Sequence, residues 1–353
     1  MARGAGIGSK MALARATQWG VATLCNKPLA GIEYLSEDFG VAIPEFIDDA
    51  SVSRSWPGNP IYGNRMVNVA FRAYLRYLGF EYVLAQVLGA AQVSAIATGV
   101  YAHKYTYTAD ITGVMATLAV NKGVSIHEIP SAKLSGYTVT MQAGRPTEIQ
   151  TRGFGTDSKT TGQRNTSLTA ATFRTEGLHV LWREMKMAIQ ARGTGAPSFI
   201  ADSYQPSSAE LTSDRPLSQH WVMNNSDQMI EPIIDGAPQA TMRLTFPRYA
   251  TAPAGTPGNF FFESAQNNVA LKMWLRAIGP TIPGTSQRYR LDVYFPNAFV
   301  QTASAAIAGP AAIPVETTIT GKSTSSVPTG FPAFVGGGGY AIRLVNNIAT
   351  SPF

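Results

Sequence analysis

The feature that most constrains this chain is a period of two in its apolar residues, repeated along most of its length and broken at short intervals by glycine and proline. His103–Asp110 (HKYTYTAD), Ala116–Val120, Leu134–Met141 and Glu148–Arg152 alternate in this way, with Gly123, Gly136 and Gly144 between them. Gln239–Phe246, Val269–Arg276, Arg288–Phe295 and Tyr340–Val345 repeat the grammar, with turns predicted at Pro253–Gly258 and Pro280–Gly284. Thr, Tyr and Val at that spacing fit a pleated, half-buried surface, so the expected fold is mainly β and antiparallel. The best helix is short, Phe80–Leu88, with Gly89 at its C′ position. Leu178–Gln190 (LHVLWREMKMAIQ) fits a strand and a helix equally well by periodicity.

Charge is the second constraint. Only 14% of the 353 residues are charged while 45% are hydrophobic, against about 25% charged in an average globular chain. A surface this poor in charge is expected to be covered by other copies, the alternative being an ordinary neutral, Thr-rich β-protein. Arg3, Lys10, Arg15 and Lys27 precede any acid, and Glu33, Glu37, Asp38, Glu45, Asp48 and Asp49 then follow without a base. Sorted charges of this kind suit docking onto a neighbour, or a solvated terminus followed by an acidic loop. Ser51–Arg65 (SVSRSWPGNPIYGNR) has loop chemistry around aromatic anchors. Arg54, Trp56, Tyr62 and Arg65 are therefore candidate subunit-interface residues. The expected organisation is an N-terminal arm and acidic segment over 1–50, a β domain with a long interface loop over 51–196, a Ser/Pro/Asp-rich linker over 197–215, and a second β domain over 216–353. No residue-level repeat is visible between the halves, although their similar layout is compatible with an old duplication.

No catalytic, cofactor-binding or metal residue is predicted. Cys25 is the single cysteine, and His103, His127, His179 and His220 stand far apart without a metal-ligand spacing. Gly336–Gly339 lacks the Lys-Ser/Thr and helix of a phosphate loop and reads as a hairpin tip. The net charge of +6 comes without a Lys/Arg run, which argues against a sequence-reading nucleic-acid module. The first twenty residues hold no secretory apolar core, and no apolar stretch of spanning length occurs.

One region is specific enough to suggest a family. Lys122–Asp157 carries Gly123, His127-Glu128, Pro130 and Lys133, leading into Gly136-Tyr137-Thr138 and Ala143-Gly144-Arg145-Pro146. It resembles the signature region of the major tail tube proteins of long-tailed (siphovirus-type) bacteriophages. Gly8–Thr23, with Trp19-Gly20 and Thr23, is similar to that family's glycine-rich start. Leu217–Arg248 is similar to its later half, with Ile230-Glu231-Pro232 and Asp235-Gly236 ahead of LTFPR. Arg290–Pro296 (RLDVYFP) resembles its closing strand. The resemblance runs through most of the chain in order.

What the resemblance implies is an antiparallel β-sandwich or barrel of tail-tube type, with two tube-type β domains and one or two short helices; it also favours a strand for Leu178–Gln190. It implies a virion tail protein, made in the host cytoplasm, whose sheets join their neighbours' into rings that stack as a hollow conduit for genome passage. Implied partners are other copies of the chain, in trimeric pseudo-six-fold or hexameric rings with the trimer preferred, together with tape-measure, tail terminator and tail-tip proteins. DNA would pass through the lumen transiently, and no membrane or cofactor is involved. His127, Glu128 and Lys133 join the candidate interface residues. Because each cation paired with a phosphate would brake transit, the bore is expected to show acids or neutral Thr, Gln and Asn, with basic residues on ring-to-ring and outer surfaces. The rival readings are another virion component, such as a capsid decoration or tail terminator protein, and a carbohydrate-binding β-sandwich.

Overall fold

The computed structural model describes residues 9–46, 61–173, 178–224, 226–251, 255–307, 309 and 311–350. The fourteen longer strands are β1 (Lys10–Ala16), β2 (Met66–Tyr74), β3 (Gly89–Ala97), β4 (Val100–Tyr107), β5 (Met115–Asn121), β6 (Ile126–Gln142), β7 (Glu148–Gly155), β8 (Met185–Ala191), β9 (Ser208–Asp214), β10 (Gln239–Phe246), β11 (Leu271–Thr281), β12 (Arg288–Ser304), β13 (Val315–Gly321) and β14 (Ala341–Asn346). Helices α1 (Glu81–Leu88) and α2 (Phe260–Gln266) are short. Every strand pairing is antiparallel, so the expectation of a mainly β fold with one or two short helices holds.

One sheet runs in the order β2, β7, β6, β9, β10, β13, β12, with Ser36–Asp38 and Val41–Ala42 along the outer edge of β2. Alternation sets its two faces. Phe71, Ile149, Tyr137, Leu211, Met242 and Ile319 point into the core, while the residues between them face out. A second sheet runs β8, β11, β12, β14, β4, β3 and turns Met187, Leu275, Val293, Leu344 and Tyr105 toward the same core. Tyr137 and Tyr340 share a hydroxyl hydrogen bond of 2.8 Å across it. β6 and β12 are each 17 residues long and change partners midway, which lets a single strand serve two layers. Core residues come from both halves of the sequence.

The helix ends where glycine permits. Gly89 closes α1 at φ +87°, and a Cβ there would lie 2.6 Å from both Ile111 Cγ2 and Thr108 Oγ1. Arg215, fully buried, donates to the carbonyl of Leu88 at 2.7 Å, placing a cation at the negative end of the helix. Its guanidinium also lies over the Tyr107 ring, 5.1 Å from the centroid.

Two segments differ from expectation. The stretch 197–215 is not simply a link, because Ser208–Asp214 is a strand between β6 and β10; its alternating Ala209, Leu211 and Ser213 are all buried. Leu178–Gln190 is not one continuous strand: His179 and Leu181 form isolated bridges to Arg76 and Pro146, Trp182–Glu184 is a 3₁₀ turn, and Met185 onward pairs with β11. Tyr77 donates to Glu184 at 3.0 Å and holds that turn in place.

Candidate assembly surfaces

Three of the segments that carry the resemblance, Gly8–Thr23, Lys122–Asp157 and Leu217–Arg248, meet in space around the N-terminal half of β6. Trp19 donates its indole N–H to the Met229 carbonyl at 2.9 Å, and the Gly20 amide donates to the Ser131 hydroxyl at 3.0 Å. Lys133 reaches the Glu231 carboxylate at 2.5 Å and the Pro232 carbonyl at 3.3 Å, while Glu231 also accepts from the Gly113 amide. Burial pushes the Lys133 ammonium below its ordinary value, and Glu231 opposes that shift. Glu128 accepts from the backbone amides of Arg164 and Asn165 and from the Asn165 side chain, at 3.1, 2.8 and 2.6 Å. Asn165 in turn accepts from the Cys25 amide at 2.6 Å and donates to the Thr23 carbonyl.

Glu128 and Lys133, expected at a subunit interface, are therefore interior: they are 1% and 2% exposed and tie two distant loops of their own chain, at Arg164–Asn165 and Glu231–Pro232, to β6. A charge surrendered to the interior needs such partners, which is why a Glu and a Lys stand on a strand otherwise lined with small and apolar residues. His127 is half-buried, with its imidazole held low by burial and by Lys122. Arg65 lies at the surface but is engaged within the chain, 2.7 Å from Asp157 and 3.1 Å from Asp227. Glu33 and Glu37 of the acidic segment are likewise paired internally, with Arg76 and Lys122. Arg54 and Trp56 fall outside the described residues.

Tyr62 behaves differently. Glu45–Phe46 and Ile61–Tyr62 form a separate two-stranded ribbon, whose Phe46, Ile61 and Tyr62 are 61%, 60% and 64% exposed. Val41 and Ile43, at the root of this arm, are exposed as well. Three large apolar side chains thus stand exposed together on this ribbon.

The outward faces of the two sheets differ in charge. On the first sheet one row reads Arg72, Gln150, Thr138, Thr212, Thr241, Thr320, Phe299, and the next reads Tyr74, Glu148, Thr140, Glu210, Arg243, Thr318, Thr302. Each arginine on this face is paired: Arg72 with Glu148 at 2.5 Å, Arg152 with Asp214 at 3.2 Å, Arg243 with Glu316 at 2.8 Å. On the second sheet one row reads Lys186, Arg276, Asp292, Arg343, Lys104, Gln92. Asp292, fully buried, accepts from Trp274, Arg276 and Arg343 at 2.8–3.0 Å. Arg290 sits 2.9 Å away as an ion pair without an aligned hydrogen bond. Three guanidinium groups thus surround one carboxylate, and Lys186 and Lys104 extend the basic row on either side. Nothing in the sequence marked Asp292 as the hub of such a cluster, because Arg276 and Arg343 come from other strands, 16 and 51 residues away.

Among the described residues, no group of three or more His, Cys, Asp and Glu side chains is placed to hold a metal ion, and no helix is long and apolar enough to cross a membrane. No family model matches the chain, and no curated protein does. Among solved structures it is similar to the tail tube of SPP1, determined by solid-state NMR and cryo-EM. That similarity has 14% identity and a TM-score of 0.28, over 49% of this chain and 81% of that one.

Proposed function

We propose that the chain is the structural subunit of a phage tail tube, building stacked rings around a bore and performing no catalysis. The observation that carries this reading is the first sheet. It runs unbroken through both halves of the chain and presents one outward face of Thr and Gln on which every arginine is matched to a carboxylate. Ordinary solvated sheets rely on Lys and Glu for solubility, but no lysine stands in these rows. Such a face offers phosphate little to hold, whereas the second sheet's face, rich in arginine and lysine, would capture it and brake its passage. The threonine face accordingly lines the bore and the basic face turns away from it. The resemblance of Lys122–Asp157 and the later motifs to tail tube proteins supports the same assignment, as does the low content of charge.

The arm of Phe46, Ile61 and Tyr62 supplies contacts between successive rings. A fully buried side chain of this size is worth about 1.5–3 kcal/mol. Replacing all three by serine on an exposed ribbon should leave the fold intact and raise the concentration needed for tubes by more than about tenfold. Electron microscopy of the protein alone, at increasing concentration and beside a mass measurement in solution, tests the reading: regular tubes from the native chain and none from the triple variant are expected. A chain that stays monomeric at every concentration would count against it.

A further inference from the structure

The two halves of the first sheet are built on one plan. In the first, the order is Ser36–Ala42, β2, β7, β6; in the second it is β9, β10, β13, β12. In each, a helix follows the second strand and packs on the fourth, α1 on β6 and α2 on β12. In each, the fourth strand is the 17-residue one, entered by a hairpin from β5 or β11 and left by a hairpin to β7 or β13.

The plan differs in two ways: β14 pairs with β12 over Arg290–Tyr294, where β6 has only an isolated bridge from Glu128 to Lys159, and among the described residues the far part of the other edge is covered in one unit alone. β6 pairs along one edge with β5 over Ile126–Ala132 and then with β9 over Gly136–Gln142, while β7 occupies its other edge. β12 pairs along the corresponding edge with β11 as far as Ala298, while β13 occupies its other edge from Ala298 onward. Beyond Ala298, where β6 has β9, no strand among the described residues pairs with that edge of β12. At the far end of the sheet, Ser36–Ala42 holds the position of β9 against β2, and among the described residues its outer edge is unpaired. The edge of β12 carries neither charge nor proline over Phe299–Ser304 and continues into Ile307, which is 77% exposed. Unguarded edges like this pair with another chain.

We propose that the β12 edge of one copy pairs antiparallel with Ser36–Ala42 of a second copy, reproducing between chains the β6–β9 junction found within each. The inference rests on the tube reading for its setting and specifies the seam that closes the ring. Matching the two units by the inward pairs Ala73–Ile149 and Phe246–Val315 sets Thr302 on Gly136, Ser304 on Thr138, Gly40 on Thr212 and Ala42 on Asp214. Gly136 faces Asp214 and Thr138 faces Thr212, so Thr302 faces Ala42 and Ser304 faces Gly40 of the second copy. Ile307 then falls where the first unit has Met141, buried against its own sheet. The contact is heterologous, with different surfaces on the two sides, and repeating it generates a ring when the rotation closes. With two units per chain, three copies close a pseudo-six-fold wall. The strand Gly89–Ala97 also has an uncharged outer edge that is unpaired among the described residues, but the repeat holds no counterpart that says what covers it.

The test is oxidative cross-linking at assembling concentration. Directly opposed antiparallel residues lie about 4.5–5.5 Å apart at Cα, within the range a disulfide spans. The Thr302→Cys/Ala42→Cys and Ser304→Cys/Gly40→Cys chains should each give covalent closed oligomers of one size on non-reducing gels. Either single variant should give none, and neither should the out-of-phase Ala303→Cys/Ala42→Cys control. Ile307→Asp, at an exposed position, should melt like the native chain yet fail to form rings. Rings or tubes seen by microscopy with no cross-link in either register, or rings formed normally by Ile307→Asp, would overturn the seam while leaving the tube reading in place. A native chain that forms neither rings nor tubes takes both away.

Discussion

Asp292 is the most demanding electrostatic commitment in the molecule, and replacing it by asparagine isolates that commitment without changing shape. The native carboxylate is fully buried and accepts four hydrogen bonds: one from Trp274, one from Arg276 and two from Arg343. A bond to a charged group contributes about 1.5–3 kcal/mol, so simple addition would suggest a loss near 10 kcal/mol. That sum is too large, because the Arg276, Arg290 and Arg343 side chains remain 20–29% exposed and water takes up part of what they lose. The better guide is the cost of removing one member of a buried ionic group, about 3–5 kcal/mol. Asp292→Asn leaves three guanidinium groups facing one another with no counter-charge, whereas Arg343→Met leaves the carboxylate with Arg276 and Arg290. The expected order is therefore Asp292→Asn well above Arg343→Met, read from urea midpoints at constant slope. An Asp292→Asn chain within about 0.5 kcal/mol of native, or one less damaged than Arg343→Met, would show that the carboxylate is not what holds the cluster together.

Three further outcomes follow from local geometry. Cys25 is buried and its thiol is pushed up to about 12, chiefly by burial and then by Glu128; native protein at about pH 8 should resist a thiol reagent that labels it fully in denaturant, and rapid native labelling would contradict the packing. Gly153→Ala would place a methyl 2.3 Å from the Lys133 carbonyl oxygen and 2.8 Å from Leu134 Cα; backbone cannot step aside, so β6 and β7 must part at a cost of at least about 1–3 kcal/mol, and a denaturation midpoint unchanged from native would refute this. His127 and His179 are both held below 6.5 by burial, helped by Lys122 and Arg76. The unfolded chain therefore binds more protons in the window just under about pH 6.5, and stability falls as pH drops through it, levelling once the folded imidazoles also protonate. The His127→Gln/His179→Gln chain should lose less stability between about pH 7 and pH 5.5 than the native chain does, and an identical loss would move the effect elsewhere.

Much of the fold was legible because burial on a strand alternates. Gln239–Phe246 is a strand over those very residues, and the short helix ends at Gly89 as its sequence implies. The strand Ser208–Asp214 carried the same alternation in Ala209, Leu211 and Ser213, but its Ser, Pro and Asp neighbours read as a link. What strand periodicity cannot supply is who stands opposite whom. Lys133 and Glu231 are 98 residues apart and meet only after β6 and the 229–232 loop are placed. The motif that singled out His127, Glu128 and Lys133 was informative about a structural lock, and the inference from motif to interface failed for Glu128 and Lys133 because a buried ion pair and a surface one use the same residue types. Tyr62 was readable by a simpler signal, a large aromatic in loop chemistry, and it is exposed.

The repeat between the halves escaped residue-by-residue inspection for a related reason. A four-stranded unit keeps its fold if inward positions remain apolar and of workable size, whatever their identity: Ala73 answers to Phe246, Ile149 to Val315, Tyr137 to Ala303. Outward positions are freer still. What two such units must share is parity, strand order and the handling of their edges, and these are relations among residues far apart. Edge handling leaves a compositional trace once the edge strand is known, since a strand meant to stay free is guarded by lysine, proline or an inward charge. Phe299–Ser304 has none of these, and neither does β9, which is covered within the chain, except Glu210 and Asp214 on its outward face. The missing guards on β12 are thus the part of the proposed seam that the amino-acid sequence records, and they become readable only when the topology shows which edge lacks a neighbour among the described residues.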